Sequence, residues 1–293
     1  MKQDTISNLF SEHRLKDTTL DFLENIKFLK HQIETPEKFE LISYVNNNST
    51  IVKKIFDSYY ETGFCNTFKL KPSKNKTQKY NYFEEINNDR KSTRSFSDKA
   101  MSFKDLSDFL NLFYKITGKE NINLHNEDIV RKTRNIASGG SLYPTEIYIV
   151  NNKIEEIPQG IYRYNVYNTE LEQIKDFKET KNRDLFNDAM MNNGKNKSSV
   201  DYENTSFFII FTSVINKHSF KYQDFGVILS LVEIGEFIHS AYLTSSTLDI
   251  GCCAYGGFLN NKMNSLLELK NNLHIPFISM AVGNKKSNKN GNK

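Results

Sequence analysis

The run at residues 225–243, FGVILSLVEIGEFIHSAYL, constrains the fold more than any other part of the chain. Read as a helix, it is nearly apolar all round instead of along one stripe. A helix of that kind has to be covered, either at the centre of a domain or in a contact between two copies. A second apolar run, SFFIIFTSVI at 206–215, is bounded by polar residues, as a buried strand would be.

Other elements follow from period and punctuation. Residues 146–150 (EIYIV) and 160–166 (GIYRYNV) read as strands separated by a polar turn, and 275–282 reads as a closing strand. Ser102 is a plausible cap for a helix over FKDLSDFLNLFYKITG, with Gly118 just past its end. A glycine-rich loop is expected at 251–257 and a short helix at 263–269. Residues 1–68 read as helical: Asp17 precedes an amphipathic stretch at 20–33, and IVKKIFDSYY at 51–60 repeats at helical spacing. The basic, proline-broken KLKPSKNKTQKY at 69–80 reads as a linker. The expected organisation is an N-terminal helical segment with its linker at 1–80, a main α+β domain at 81–284, and a tail at 285–293.

Composition narrows the function. A core is well supplied by 22 Phe and 15 Tyr. The net charge of +4 is concentrated in the linker and the tail, and no basic face alternates with stacking aromatics, so nucleic acid is not an expected partner. Three cysteines (Cys65, Cys252 and Cys253) make no framework, which points to a reducing compartment. The first residues hold no apolar run that could act as a signal, and no run is read as long enough for a membrane span. A cytoplasmic protein is expected. Six scattered histidines without HExxH give no expectation of a bound metal.

Four constellations could carry chemistry. Arg90 and Arg94 flank Ser92 in RKSTRSF, and would share a face if the segment were helical. Guanidinium groups so placed suit a phosphate, and a basic surface turn is the plainer alternative. In SGGSLYP, Gly139 and Gly140 let backbone approach a flat ligand, between Ser138 and Ser141. A structural turn would explain the glycines without those neighbours. Gly256 and Gly257 in YGGF could likewise expose backbone N–H groups, while the adjacent Cys252 and Cys253 are read as packing residues. Finally, Lys221 and Tyr222 stand just ahead of the long helix. An ammonium beside a phenol stabilises its phenolate form and so makes a candidate base. Two solvated side chains at a helix start are the alternative.

The order and spacing of these four, with GIYRY between them, resemble the nitroreductase superfamily over residues 83–283. The SGGSLYP and GIYRY elements are similar to those of its SagB/ThcOx-type branch, azoline dehydrogenases of ribosomally made peptides. FKY ahead of the apolar helix resembles that branch's proposed catalytic Lys-Tyr pair. The resemblance implies a mixed central sheet wrapped by helices, a homodimer, and FMN as cofactor. It implies that Arg90, Ser92 and Arg94 hold the phosphate and ribityl chain, with Lys285 and Lys286 as further basic residues. It sets 138–141 along the isoalloxazine, Gly256 and Gly257 at its N5 and O4 edge, and Lys221 and Tyr222 on the substrate. The implied partners are a modified precursor peptide and a cyclodehydratase, which residues 1–80 could contact. Two other functions are compatible with the same residues. One is NAD(P)H-dependent reduction of dehydroamino acids, nitroaromatics or quinones; the other is a non-catalytic peptide-binding scaffold.

Overall fold

In a computed structural model, the described residues are 14–27, 44–45, 47–56, 68–73, 75–191 and 200–286. Contacts divide the chain into one unit of Met1–Lys27 with Ile86–Lys293, and a second of Phe28–Glu85. The expected helical continuations at 28–33 and 57–60, Cys65, and the tail beyond Lys286 lie outside the described residues.

The first unit opens with α1 (Asp17–Asn25). Its Leu23 and the preceding Leu15 are buried against Ile215, Val227, Leu273 and Ile275, and the Lys16 N–H and Thr19 hydroxyl donate to Asp224 Oδ1 at 2.9 and 2.7 Å. These residues, expected with the linker, therefore belong with the main unit. Within the second unit, α2 (Ser49–Phe56) starts where Asn48 Oδ1 accepts from the Thr50 and Ile51 N–H groups, each at 3.1 Å. The chain then runs through α3 (Gln78–Asp89) into the main fold.

Helix α4 (Phe103–Phe113) is capped as read: Ser102 Oγ accepts from the Asp105 N–H at 3.1 Å. It ends earlier than expected. Residues 116–134 form a separate hairpin, β1 (Ile116–Leu124) and β2 (Glu127–Arg134), and Gly118 sits at an irregularity inside β1. His125 and Asn126 both take positive φ between the strands, as a two-residue hairpin turn demands.

The central sheet joins β3 (Thr145–Asn151), β4 (Gly160–Asn165), β5 (Glu170–Asp176), β6 (Phe207–Val214), β7 (Ile250–Tyr255) and β8 (His274–Asn284) in the order β5-β4-β3-β6-β8-β7. The α+β class holds. Where a mixed sheet was expected, every ladder in it is antiparallel among the described residues. The glycine-rich stretch from 251 is strand β7 and not loop, because it pairs with β8 from Ile250↔Asn284 to Tyr255↔Ser279.

Strands β3 and β6 are buried on both faces, and the period of two sorts their side chains into two layers. Phe207, Ile209, Phe211, Ile147 and Ile149 face α4 and the long α7 (Phe225–Thr247), which contributes Ile234, Phe237 and Ala241. Phe208, Ile210, Tyr148 and Val150 face α5 (Thr180–Ala189) and α8 (Asn260–Leu266). Phe113 anchors the first layer, with ring centroids 5.5 Å from Phe109, 5.8 Å from Phe237 and 6.3 Å from Phe211. Cys252 and Cys253 fall in opposite layers as small apolar residues without a disulfide, and burial pushes the Cys252 thiol up to about 11.

At 23 residues α7 is long and apolar enough, by length and composition alone, to cross a membrane, which the sequence reading did not expect. It packs against α4, β7 and the short α6 (Ile215–Tyr222) as the central helix of the layer.

Candidate active site

The antiparallel register gathers three segments at one end of the sheet. Thr145 at the start of β3 pairs with Ser213 at the end of β6, and Ser213 pairs with Ile275 at the start of β8. Tyr255, the end of β7, pairs with Ser279 and points the following Gly256 and Gly257 to the same end. The turn at 138–144 thus leads into this edge, α6 leaves from it, and the glycine pair follows β7 towards it.

The turn at 138–144 is unusual backbone. Gly140, Ser141 and Tyr143 all have positive φ (65°, 58° and 46°), and Ser138 Oγ accepts from the Tyr143 N–H at 2.9 Å. Non-glycine residues in this region cost on the order of 1–3 kcal/mol each and persist only where surroundings hold them. Two buried side chains do so. Glu233 of α7 accepts the Thr145 N–H at 3.2 Å, and among the described residues its other oxygen has no hydrogen-bond partner. His218 of α6 faces the Gly139 carbonyl with Nε2 at 3.2 Å; a carbonyl only accepts, so Nε2 carries the proton. Ser230 Oγ lies 2.9 Å from His218 Nδ1, and His218 Nε2 lies 3.9 Å from Glu233 Oε2. Burial pushes the Glu233 carboxyl above and the His218 imidazole below their ordinary ranges, so it disfavours the charged form of each.

Lys221 and Tyr222, read as preceding a helix, in fact close α6. Gln223, at φ 50°, reverses the chain into α7. Helical spacing sets Tyr222 one turn beyond His218, with ring centroids 6.4 Å apart, and Lys221 one turn beyond Lys217. Both tips reach the glycine turn. A Cβ on Gly140 would fall 2.7 Å from the Tyr222 hydroxyl and 3.1 Å from Lys221 Nζ. A side chain there would clash with the pair and is also disfavoured by the φ of 65°. Two motifs 80 positions apart in sequence are therefore brought together.

The RKSTRSF segment is not helical, so the shared helical face expected for Arg90 and Arg94 is absent. Its two sides meet different surroundings. Ser92 Oγ lies 3.0 Å from the Tyr242 hydroxyl, over whose ring the Arg90 guanidinium stands at 5.4 Å. Thr93 donates its N–H to the Cys252 carbonyl at 2.8 Å, and its side chain lies where a Cβ on Gly251 would have to go, at 2.7 Å. Tyr242 also accepts the Ala254 N–H at 3.0 Å, tying this segment to β7. Lys91 lines a cavity of about 600 Å³ with Lys99, Lys285 and Lys286, which Arg90, Ser92 and Arg94 do not line. Lys285 pairs with Asp249 at 2.7 Å. Among the described residues neither Arg90 nor Arg94 has a carboxylate within ion-pair distance. Cations left over in this way fit the phosphate of the cofactor that the resemblance implies, and among the described residues a Cβ on Gly256 would meet nothing within 4 Å.

Sequence reading missed His218, Glu233 and Tyr242. A lone histidine and a lone glutamate within apolar or mixed stretches have no spacing pattern. The one available signal was a carboxylate inside the most apolar helix of the chain, which has to be neutral or paired.

Comparisons with known proteins bear on the fold that carries these segments. A chain of the E. coli microcin synthetase McbBCD complex with truncated pro-MccB17 bound is similar at TM-score 0.63 and 15% identity, over 98% of each chain. A nitroreductase-type structure from Ralstonia eutropha is similar at TM-score 0.50 and 17% identity, over 70% of this chain and 83% of that one. A protein named as a nitroreductase, from Methanocaldococcus jannaschii, is 22% identical over 196 residues, covering 67% of this chain and 87% of its own. Residues 88–284, which hold the sheet, the glycine turn, α6 and the RKSTR segment, match the nitroreductase family, whose members are generally flavin-dependent oxidoreductases, and this chain belongs to that family.

Proposed function

We propose that the chain is an FMN-dependent dehydrogenase that oxidises thiazoline or oxazoline rings to azoles in a ribosomally made precursor peptide. It would work in the cytoplasm, as a homodimer and alongside a cyclodehydratase. The observation that carries this reading is the meeting of Lys221 and Tyr222 with Gly140, which sets an ammonium and a phenol against the turn assigned to the flavin ring. The likeness to the microcin synthetase chain supports a peptide-modifying role. It spans 98% of this chain, against 70% for the Ralstonia protein, and so takes in residues ahead of the family match at 88.

Converting an azoline to an azole removes two hydrogens, one as a proton and one as a hydride equivalent. Bound FMN would supply the hydride acceptor. The phenolic oxygen of Tyr222 would take the proton from the ring carbon, with the Lys221 ammonium beside its ring. Arg90 and Arg94 would hold the phosphate by charge-assisted bonds, with Ser92 on the ribityl chain, whereas Lys285, expected as a further cation, pairs with Asp249 in the separate lysine cavity. The 138–141 turn would lie along the ring system, and the Gly256 and Gly257 N–H groups would face its edge.

The homodimer is supported by α7. Phe225, Ile228, Leu231 and Val232 are 56%, 53%, 39% and 54% exposed, and a Cβ on Gly235 would meet nothing within 4 Å. Such an apolar helix face is the kind of surface that a second copy covers.

Mass spectrometry of the precursor peptide, carrying azolines and incubated with the flavin-loaded protein, tests the proposal. Loss of two hydrogens per ring is the expected result. A gain of two hydrogens would assign the chain to reduction instead, and an unchanged mass under aerobic turnover conditions would remove the oxidase reading.

A further inference from the structure

A second cavity, of about 150 Å³, opens beside the glycine turn between Tyr143, Arg134 at the end of β2, Arg163 of β4 and Lys217 of α6. Three cations and the carboxylate of Glu146 line it. Arg163 and Glu146 pair at 3.4 Å, and Glu146 also stands 3.9 Å from His274, so these two largely offset each other. Arg134 and Lys217 are left. Among the described residues neither has a carboxylate within ion-pair distance.

Arg134 is held in one orientation. Its guanidinium lies 4.0 Å from the Tyr143 ring centroid, 5.1 Å from Tyr167 and 5.4 Å from Tyr114. Nη2 donates to the Tyr167 hydroxyl at 2.8 Å and Nη1 to the Tyr114 hydroxyl. Nε is buried and, among the described residues, has no acceptor. Among the described residues, Lys217 Nζ donates a single long bond, 3.5 Å, to the Tyr143 carbonyl. A guanidinium locked by aromatic rings, with a buried donor unmet and an ammonium across the cavity, is built to receive an anion.

We propose that this cavity is a carboxylate-binding subsite for the substrate, with Arg134 and Lys217 as its anion-holding groups. The proposal rests on the peptide-oxidising reading above and adds a specificity element to it. Size favours a carboxylate: the space equals about five water volumes at roughly 30 Å³ each, enough for a carboxyl group on a short stem and too small for a nucleotide. Position links it to the chemistry. Lys217 lies one helical turn, about 6 Å, from Lys221 on the same face of α6. That separation is about two residues of extended peptide, so the subsite would take an Asp or Glu side chain, or a chain-terminal carboxylate, near the ring being processed.

The test measures binding to the flavin-loaded protein by ligand-observed NMR, using the α-methylamide of N-acetylglutamate, its neutral isostere the α-methylamide of N-acetylglutamine, and inorganic phosphate. The acid should bind at least tenfold more tightly than the amide and than phosphate, and the preference should fall below threefold in both Arg134→Gln and Lys217→Gln. Lys217→Gln keeps the test valid if Arg134→Gln unsettles the tyrosines around it. Equal binding of acid and amide, or a preference that survives both variants, overturns the subsite. Phosphate binding as tightly as the acid would mark a general anion site and also overturn it. None of these readouts depends on turnover, so failure of azoline oxidation would be recognised separately.

Discussion

Glu233 gives the sharpest test of how the fold supports the site. Its carboxyl is buried beneath the 138–145 turn, accepts the Thr145 N–H and lies 3.9 Å from His218. Glu233→Ala would strand that buried N–H, at about 1–3 kcal/mol, and free a turn in which Ser141 and Tyr143 hold positive φ. A total near 2–4 kcal/mol is expected. With roughly 2–4 °C per kcal/mol for a domain of this size, the melting temperature should drop by about 4–16 °C. Glu233→Gln keeps the volume and the acceptor, so near pH 5 it should stay within about 1 kcal/mol of the natural protein.

The pH dependence separates a neutral from an ionised pair. Burial raises the folded-state pKa of Glu233 above the 4.5 of the free carboxyl. Its contribution to stability is then fully present below about 4.5 and is lost as pH rises towards the folded pKa, by about 1.4 kcal/mol per pH unit. Glutamine has no such loss, so Glu233→Gln should gain on the natural protein as pH rises above 4.5. Thermal melts of both proteins from pH 4.5 to 8 measure the difference. His218, whose folded pKa is lowered by burial, destabilises both proteins alike as pH falls through 6.5. If Glu233 and His218 formed a charged pair, the sign would reverse and Glu233→Gln would lose ground with rising pH, which would refute the reasoning that burial dominates at Glu233.

Tyr222→Phe should lower peptide turnover by about a hundred- to ten-thousand-fold while FMN absorbance in the purified protein is retained; near-normal turnover would remove the base assignment. Arg94→Ala should weaken FMN binding by about 1.5–3 kcal/mol in a fluorescence titration, and by more than Lys91→Ala, which lines the separate lysine cavity; equal affinities would move the phosphate to that cavity. Paired Ile228→Asp and Val232→Asp should convert a dimer to a monomer in light scattering, and a natural protein that is monomeric at micromolar concentration would refute the dimer face. Phe237→Ala, which empties a fully buried position against Phe113 and Tyr114, should cost about 3–5 kcal/mol by denaturant unfolding.

What was legible in the sequence depended on how local each signal was. The cap at Ser102 and the apolar runs that became β3, β6 and β8 are complete within a few residues, so they could be read directly. The β1–β2 hairpin was hidden because its turn is His125-Asn126, without the glycine that usually marks two positive-φ positions. Helix α6 was hidden because the apolar run of β6 passes into it at Ile215 without a break. The glycines after β7 led its strand to be read as loop, although Gly251 is there because Thr93 packs against its α-carbon. The four site motifs were visible as residues. Which of them meet was a property of the antiparallel register, and no spacing along the chain encodes that.

The long helix that opened the sequence reading shows the same limit from the other side. An all-round apolar pattern says that α7 must be covered and does not say by what. In the structure its first turns are divided: Val227 and Ile234 are buried in apolar clusters, but the rest of the inner face is polar. Gly226, Ser230 and Glu233 face inward, where they meet α6 and the glycine turn, while Phe225, Ile228, Leu231 and Val232 face outward. Further along, Phe237 and Ala241 return to the apolar layer. A helix serving only to fill a core would place its large apolar residues inward throughout, since each fully buried one contributes about 1.5–3 kcal/mol. Giving up that burial over two turns makes sense only if the inner face is needed to hold His218 and the strained turn, and if the outer face is covered by something else. The division therefore ties the two proposals for α7 together. The polar inner face that supports the flavin turn and the apolar outer face offered to a second copy occupy the same two turns of helix, so a substitution that breaks the dimer there should also loosen the site.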